Sequence, residues 1–207
     1  MAEHDDEPRG AERILRAAID VIAERGFRGA ATSEIARRAG VAEGTIFRHF
    51  KTKQVLLTHI VEPFVQRVLA PLALRDVQRL LGDDYPSFAD FLRAFTRNRL
   101  DVARANLPIL RIILQEVPLN PELQAMMVRH IGAQLFPQML AIIRRHQVRG
   151  ELRDDPPEAI LRVTISAFGG YVITRHMLLP DRAWDDDAEI ERMIRVIVRG
   201  FAPDPPA

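Results

Sequence analysis

Apolar residues recur every three to four positions in a series of segments along the chain, which is the spacing of one buried helical face. In the segment 12–25, for example, the apolar positions are Ile14, Ala18, Val21 and Ile22. No segment alternates polar and apolar residues cleanly, so the pattern favours helix over strand throughout. The sequence therefore predicts an all-α protein of about nine helices.

Residues that begin and end helices divide this pattern into elements. Gly26 should end the first helix, and Gly40 should supply the tight turn after the second. Pro121 should open one long helix that reaches about Arg149. The residues whose side chains should cap helix N-termini are Thr32, Thr52, Ser87 and Asp187.

Residues 31–50 have the physical features of a helix-turn-helix. Ala36 is small where the two helices must cross closely, and Gly40 tolerates the positive φ of the turn. The second helix of such a pair enters the major groove with its N-terminal residues toward the bases. Apolar residues that could hold the pair against the first helix follow at suitable spacing: Ile35, Ala39, Val41, Ile46 and Phe50.

A net charge of +1 conceals an uneven distribution of basic residues. Residues 9–53 carry ten Lys or Arg against five Asp or Glu, whereas residues 54–207 carry nineteen of each sign. A basic segment of this kind fits a polyanionic partner, and a solvated basic face explains the charge alone equally well. The helix-turn-helix pattern decides in favour of double-stranded DNA.

Other classes of function find little support in the residues. The chain has no cysteine, which excludes disulfides, thiolate catalysis and cysteine zinc sites. The histidines are scattered without metal-ligand spacing, and the acidic clusters lie in predicted loops without a partnered histidine, so we predict no enzyme, metal or cofactor. The most apolar stretch, residues 163–174, is far shorter than the roughly 20 residues of a membrane span. With no secretory signal pattern at the N-terminus, we expect a cytoplasmic protein.

Two stretches resemble the TetR/AcrR family of transcriptional regulators. They are residues 13–27, with Arg-Ile-Leu-Arg-Ala-Ala followed by Glu-Arg-Gly-Phe, and residues 40–53, Gly-Val-Ala-Glu-Gly-Thr-Ile-Phe-Arg-His-Phe-Lys-Thr-Lys. The resemblance implies a three-helix DNA-binding domain with a helix-turn-helix at residues 9–55. It also implies a C-terminal helical domain for ligand binding and dimerisation at residues 56–202. We expect the ends, residues 1–8 and 203–207, to be disordered.

The resemblance also implies contacts to operator DNA. Lys53 has independent physical support, because a lysine in the first turn of a helix opposes the helix dipole and a bound phosphate would reverse that conflict. Arg28, Arg37 and Arg38 are further phosphate candidates. Arg48 is a phosphate candidate of the same kind. The contacts that the resemblance implies are Thr32 and Ser33 to phosphate, Glu43, Gly44 and Thr45 to base edges, Phe47 and His49 along the backbone, and Lys53 to phosphate.

This chain departs from the family pattern at two positions. Phe47 stands where the family usually has tyrosine, so the packing is kept and a hydroxyl that could donate to a phosphate is lost. Ala42 stands where the family commonly has a serine or similar cap, and alanine caps a helix poorly. We therefore expect one backbone contact fewer and a looser start of the recognition helix.

The last two predicted helices carry wide apolar faces, which can be buried in the core of one chain or against a second subunit. The resemblance implies an intersubunit four-helix bundle and hence a homodimer. The predicted interface residues are Ile160, Val163, Phe168, Ile190, Met193, Ile194 and Ile197. Candidates to line a pocket for a small hydrophobic effector, each of which could equally be plain core, are Phe91, Phe95, Met126, Met127, Phe168 and Tyr171.

Taken together, these features predict a sequence-specific DNA-binding transcriptional regulator. The first hypothesis is a repressor that a small hydrophobic ligand releases from its operator. The alternative is the same fold acting as an activator or controlled by a protein partner, without a small-molecule trigger.

Overall fold

The computed structural model describes residues 6–66 and 85–203 of the chain. These residues build helices and contain no strand, which confirms the all-α prediction. The α-helices are, in chain order, α1 (Asp6–Gly29), α2 (Thr32–Ala39), α3 (Glu43–His49), α4 (Lys53–Phe64), α5 (Phe88–Ala105), α6 (Leu107–Glu116), α7 (Pro121–Met127), α8 (Ala133–Val148), α9 (Pro157–Ile173) and α10 (Asp186–Gly200).

The start of α1 corrects one expectation about the chain ends. Residues 1–5 and 204–207, which we expected to be disordered, lie outside the described residues. Residues 6–8, which we expected to be disordered as well, form the first turn of α1. Pro8 is compatible with this turn, because the first N–H groups of a helix have no acceptor within it.

Gly26 interrupts α1 where the sequence predicted its end, and a further turn follows up to Gly29. Gly26 has φ 71° and ψ 162°, a conformation that residues with a Cβ rarely adopt. The N–H of Ala30 then donates to the Gly26 carbonyl at 3.1 Å. The kink therefore separates the long amphipathic part of α1 from a short turn that leads into α2.

Two of the predicted helix caps are confirmed. Thr52 Oγ1 accepts a hydrogen bond from the N–H of Val55 at 3.1 Å, at the start of α4. Ser87 Oγ accepts from the N–H of Asp90 at 3.1 Å, at the start of α5. Both side chains satisfy donors that have no partner inside their own helix.

The other two predicted caps are wrong by one or two residues. The N-cap of α2 is Ala31 and not Thr32, and it makes no side-chain hydrogen bond. The N-cap of α10 is Asp185 and not Asp187, and its carboxylate accepts from the N–H of Ala188 at 3.1 Å. At α10 the sequence offers three adjacent aspartates, so composition alone could not select one. At α2 the cap position is an alanine, and the predicted Thr32 is the first residue of the helix.

The long helix predicted from Pro121 to about Arg149 is confirmed in its extent, but it is not α-helical throughout. It consists of α7, a π-helical turn at Val128–Gly132, and α8. Pro137 lies inside α8, where it removes one backbone donor.

The described helices form two compact units. The N-terminal unit comprises residues 6–66 and 106–130, and the C-terminal unit comprises residues 85–105 and 131–203. In the N-terminal unit, α6 packs against α1 and α4 and buries the side chains of Ile109, Ile112 and Ile113. The sequence-based boundary at residue 55 therefore does not coincide with the packing, since α4, α6 and α7 belong with the helix-turn-helix.

The C-terminal unit has its own hydrophobic core. Helix α10 packs against α5 and α9, and α8 packs against α9. Burial of this many apolar side chains is the dominant stabilising term for a unit of this size. The buried members of the core are Phe88, Phe91, Leu92, Leu100, Met139, Ile142, Ile143, Leu152, Ile160, Leu161, Ile190, Ile194 and Ile197.

Candidate DNA-binding site

Helices α2 and α3 form the helix-turn-helix that the sequence predicts. Gly40 ends α2 in the left-handed conformation, with φ 66° and ψ 38°, and the N–H of Val41 donates to the Ala36 carbonyl at 3.0 Å. This is the hydrogen-bonded turn expected where a glycine follows a helix. The buried side chains of the motif are Ile35, Ala36, Ala39, Ile46 and Phe50.

The first turn of α3 faces outward. Glu43 and Gly44 are exposed, Thr45 is half-buried, and Phe47 is 47% exposed despite its large apolar ring. A Cβ placed on Gly44 would meet nothing within 4 Å, so the space above this turn is open. An exposed aromatic ring beside an open, polar helix start is suited to packing against another molecule's surface.

A hydrogen bond connects the starts of the two motif helices. The Thr32 hydroxyl donates to Glu43 Oε1 at 2.5 Å. Ala42, the N-cap of α3, makes no side-chain hydrogen bond, in keeping with the weak cap that the sequence predicts. The Thr32–Glu43 contact therefore fixes the Glu43 carboxylate at the entrance to α3 by a side chain of α2.

Lys53 lies in the first turn of α4 and is partly buried. Its ammonium donates to the Phe27 carbonyl and lies 4.7 Å from the centroid of the Phe27 ring. Burial lowers the pKa of Lys53 from its usual value, and the charge of Glu116 opposes that shift. Because an ammonium has three donors, one bond to Phe27 leaves others for a phosphate, and the phosphate contact stays a prediction.

Arg38 is engaged within the protein. Its guanidinium binds Glu24 through two hydrogen bonds of 2.9 and 2.6 Å and donates to Glu34 at 3.0 Å. The hydrogen bond to Glu24 is the main reason that the pKa of Arg38 is raised, and the same bond lowers the pKa of Glu24. Arg38 thus connects α2 to α1, and the phosphate contact that its charge suggested stays a prediction.

The remaining DNA-contact candidates lie around the start and end of the motif. Ser33, Arg28, Arg37 and Arg48 are exposed, and His49 is half-buried at the end of α3. The exposed candidates are therefore accessible to a phosphate backbone, and their contacts stay predictions.

The predicted dimer residues divide into two groups. Ile160, Ile190, Ile194 and Ile197 are at most 5% exposed and belong to the core of their own chain, so we correct their assignment to the interface. Helical periodicity alone could not tell which of two apolar stripes faces the core. Of the other predicted residues, Val163 is exposed and Phe168 and Met193 are half-buried. The further exposed side chains of α9 and α10 include Arg162, Ile165, Ser166, Arg192, Arg195, Val196 and Arg199.

The predicted pocket residues do not form one group within either unit. Met126 and Met127 lie in the N-terminal unit, and the other four lie in the C-terminal unit. Phe91 is 1% exposed and stacks on Phe95, with ring centroids 5.8 Å apart. The Tyr171 hydroxyl donates to Asp186, and burial raises the pKa of Tyr171. Phe91 is thus a core residue, which is the plainer of the two readings that its spacing allowed.

Within the described ranges, no group of three or more His, Asp or Glu side chains could hold a metal ion. The described helices include none that is long and apolar enough to cross a bilayer.

Comparison with known proteins identifies the family. Residues 14–60 match the family model for bacterial regulatory proteins of the tetR family. Residues 89–203, more than half of the chain, match the model for the C-terminal domain of AefR-like transcriptional repressors. The chain belongs to the TetR family. It is therefore a helix-turn-helix transcriptional regulator and not an enzyme.

Individual relatives agree with this assignment. Two regulators from Bacillus subtilis are similar to part of this chain: YvdT is 38% identical over 73 residues, and the fatty acid metabolism regulator protein is 40% identical over 60 residues. These matches span 36% and 31% of those relatives and 35% and 27% of this chain. Bacillus subtilis FadR, solved in complex with stearoyl-CoA, shares the fold, with a TM-score of 0.68 and 20% identity over 92% of this chain and 98% of that one.

Two features of the site could not be found from the sequence. The Thr32–Glu43 hydrogen bond joins residues eleven positions apart, and the Lys53–Phe27 contact joins residues 26 positions apart. The spacing of neither pair matches the period of a helix. The partners meet only because the fold brings separate elements together.

Proposed function

We propose that this TetR-family regulator is a homodimeric repressor, which binds a two-fold symmetric operator and leaves it when the C-terminal unit binds a hydrophobic ligand. The observation that carries the DNA-binding part is the outward first turn of α3, with Glu43 held by Thr32 beside the open space above Gly44. The second helix of a helix-turn-helix presents such a turn to base edges in the major groove.

The outer faces of α9 and α10 support the dimer. A groove between these helices is lined mainly by apolar or small residues, among them Val163, Ala167, Val196 and Gly200. Val196 is 72% exposed and Val163 is 43% exposed, and together with Ala167 and Met193 they give this groove a contiguous apolar surface. A second copy that packs its own α9 and α10 here would bury both faces and place two recognition helices on one duplex, on half-sites about 34 Å apart or a multiple of that.

The names of similar proteins support repression and a ligand. The family model that matches the C-terminal half describes repressors, one relative is a fatty acid metabolism regulator, and FadR binds stearoyl-CoA. A ligand with a long acyl chain would shift the dimer toward a half-site spacing that the operator does not fit. Because operator DNA is the partner, the proposal also places the protein in the cytoplasm.

The test is selection of bound fragments from random duplex DNA by the purified protein, repeated over a salt series. We expect a two-fold symmetric site whose affinity falls as salt rises, since phosphate contacts release counterions. A reporter with that site over its promoter should then be transcribed less when the protein is present. Binding that is weak and blind to sequence at low salt would overturn the proposal, and increased transcription would overturn repression.

A further inference from the structure

Arg145 of α8 has two guanidinium nitrogens, Nε and Nη2, that have no hydrogen-bond partner among the described residues. Both nitrogens are buried. No carboxylate of the described residues forms an ion pair with Arg145 either, although its neighbour Arg144 pairs with Glu158 at 3.6 Å. A buried cationic edge without an acceptor is costly, so its retention calls for an explanation.

The two unpartnered nitrogens define the chemistry of a partner. Nε–H and Nη2–H point the same way from one side of the planar guanidinium, and they match the two oxygens of a carboxylate or phosphate. A single water or carbonyl oxygen could accept from both nitrogens, but only an oxyanion gives each of them its own acceptor and also neutralises the buried charge. The fork is therefore a binding edge for an oxyanion, and its burial strengthens the interaction by lowering the local dielectric.

A second buried polar atom lies on the same side of the helix. Gln138 Oε1 is buried and, among the described residues, has no hydrogen-bond donor. Gln138 precedes Arg145 by seven residues, which places it two turns away along α8, at about 10 Å, and about 20° apart around the axis. Both positions border the apolar face of α8, whose buried residues are Met139, Ile142, Ile143 and His146.

We infer that this edge of α8 binds the acidic head of an amphipathic effector, with the oxyanion on the Arg145 fork and a hydroxyl or amide N–H of the same molecule on Gln138 Oε1. The inference rests on the proposed function, in which a hydrophobic ligand binds the C-terminal unit. It adds the polar contacts that would hold such a ligand in one orientation. The oxyanion is either the carboxylate of a free fatty acid or a phosphate of an acyl-CoA, and both present the same pair of oxygens.

The experiment compares three probes with one chain length: hexadecanoate, hexadecanoyl-CoA and neutral hexadecanol. Each is titrated into the full-length wild type and the variants Arg145→Met, Arg145→Lys and Arg144→Met, and the dissociation constant is measured calorimetrically. We expect Arg145→Met to weaken the preferred anionic probe at least tenfold and to leave hexadecanol unchanged. Arg145→Lys should restore only part of the loss, because lysine keeps the charge without the fork. Arg144→Met should behave as the wild type.

A second readout separates recognition from a structural role. Without ligand, Arg145→Met should melt at the same temperature as the wild type or higher, because it removes a buried unpaired cation. A lower melting temperature with unchanged anion affinity would overturn the inference, as would a wild type that binds neither anion more tightly than hexadecanol. If the wild type binds hexadecanoate more tightly than hexadecanoyl-CoA, the oxyanion is a carboxylate; the opposite order indicates a phosphate. Operator binding of the ligand-free protein is scored separately, so failure of the proposed function is distinguishable from failure of the oxyanion site.

Discussion

Thr32 donates a hydrogen bond of 2.5 Å to the Glu43 carboxylate, and this bond joins the first turn of α2 to the first turn of α3. Both residues were predicted to touch DNA independently, Thr32 at a phosphate and Glu43 at a base. The structure instead places them in contact with each other. A carboxylate brought near phosphates is repelled, so we predict that Thr32 holds the Glu43 carboxylate where it can accept from a cytosine amino group in the major groove.

If Thr32 acts through Glu43, the substitution Thr32→Val should reduce discrimination at the base pair that Glu43 reads by about fivefold, the factor expected for one hydrogen bond of about 1 kcal/mol. Dissociation constants for the selected operator and its single-base variants measure the effect. In a double-mutant cycle, Thr32→Val should add little to Glu43→Ala. Fully additive losses would point to a separate phosphate contact by Thr32. Ser33→Ala removes a predicted phosphate contact on the same turn without touching Glu43, and it should lower the affinity for the operator and its single-base variants equally.

Lys53 is expected to serve both the fold and the DNA. Replacement by methionine should lower the salt dependence of operator binding by about one unit of slope, the contribution of one phosphate contact. It should also lower the melting temperature slightly, since the contact with the Phe27 carbonyl and ring is lost. Binding isotherms at several salt concentrations and thermal unfolding measure the two effects. A melting shift with an unchanged slope would contradict the phosphate role. Lys51→Met, at an exposed position two residues away, is the comparison for charge alone.

A buried polar arrangement in the C-terminal unit predicts a larger loss of stability. Glu151 accepts from the N–H of Phe88 at 2.7 Å and contacts Nδ1 of the fully buried His146 at 2.9 Å. Glu151→Ala would leave both groups unsatisfied and should lower the free energy of unfolding by about 2–3 kcal/mol. Urea unfolding followed by circular dichroism measures this change.

The control for that experiment is Glu158→Ala. Glu158 pairs with Arg144 on the surface, where an ion pair contributes about 0.5 kcal/mol or less. Equal losses for the two variants would show that the Glu151 arrangement is no more important than an exposed pair.

The proposed dimer interface predicts the effect of a charge on the outer face of α10. Val196→Arg should convert the dimer to a monomer in sedimentation experiments and keep the helical content, because the side chain is 72% exposed in the single chain. Operator affinity should fall sharply, because a monomer contacts only one of the two half-sites. Val148→Arg, at a position 90% exposed at the end of α8, should leave the dimer intact. A Val196→Arg variant that sediments as the wild type would exclude this face as the interface.

The fold class and the helix-turn-helix were predictable because both rest on local signals. The apolar period identifies the helices, and Gly40 adopts the left-handed conformation that its place between two helices required. The contacts between elements were not predictable, since Arg38 gives no sign in the sequence that its partner is Glu24, fourteen positions earlier. Without knowing this partner, a basic residue in a DNA-binding motif is most simply assigned to phosphate.

The assignment of apolar stripes failed for a related reason. Helix α10 has apolar residues on two sides, and the sequence-based choice gave Ile190, Ile194 and Ile197 to the partner subunit. The structure buries these three in the core of their own chain and leaves Val196 outside. Periodicity reports that a face is apolar, and only the packing partner decides what covers it.

The most direct test of base reading by α3 is the fragment selection repeated with Thr45→Ala beside the wild type. If Thr45 contacts a thymine methyl group, the selected site should lose its base preference at one position in each half-site, symmetrically, and keep the remainder. Thr58→Ala, on α4, should return the wild-type site. Recovery of an unchanged site by Thr45→Ala, with the same affinity, would contradict the account that the first turn of α3 reads the operator.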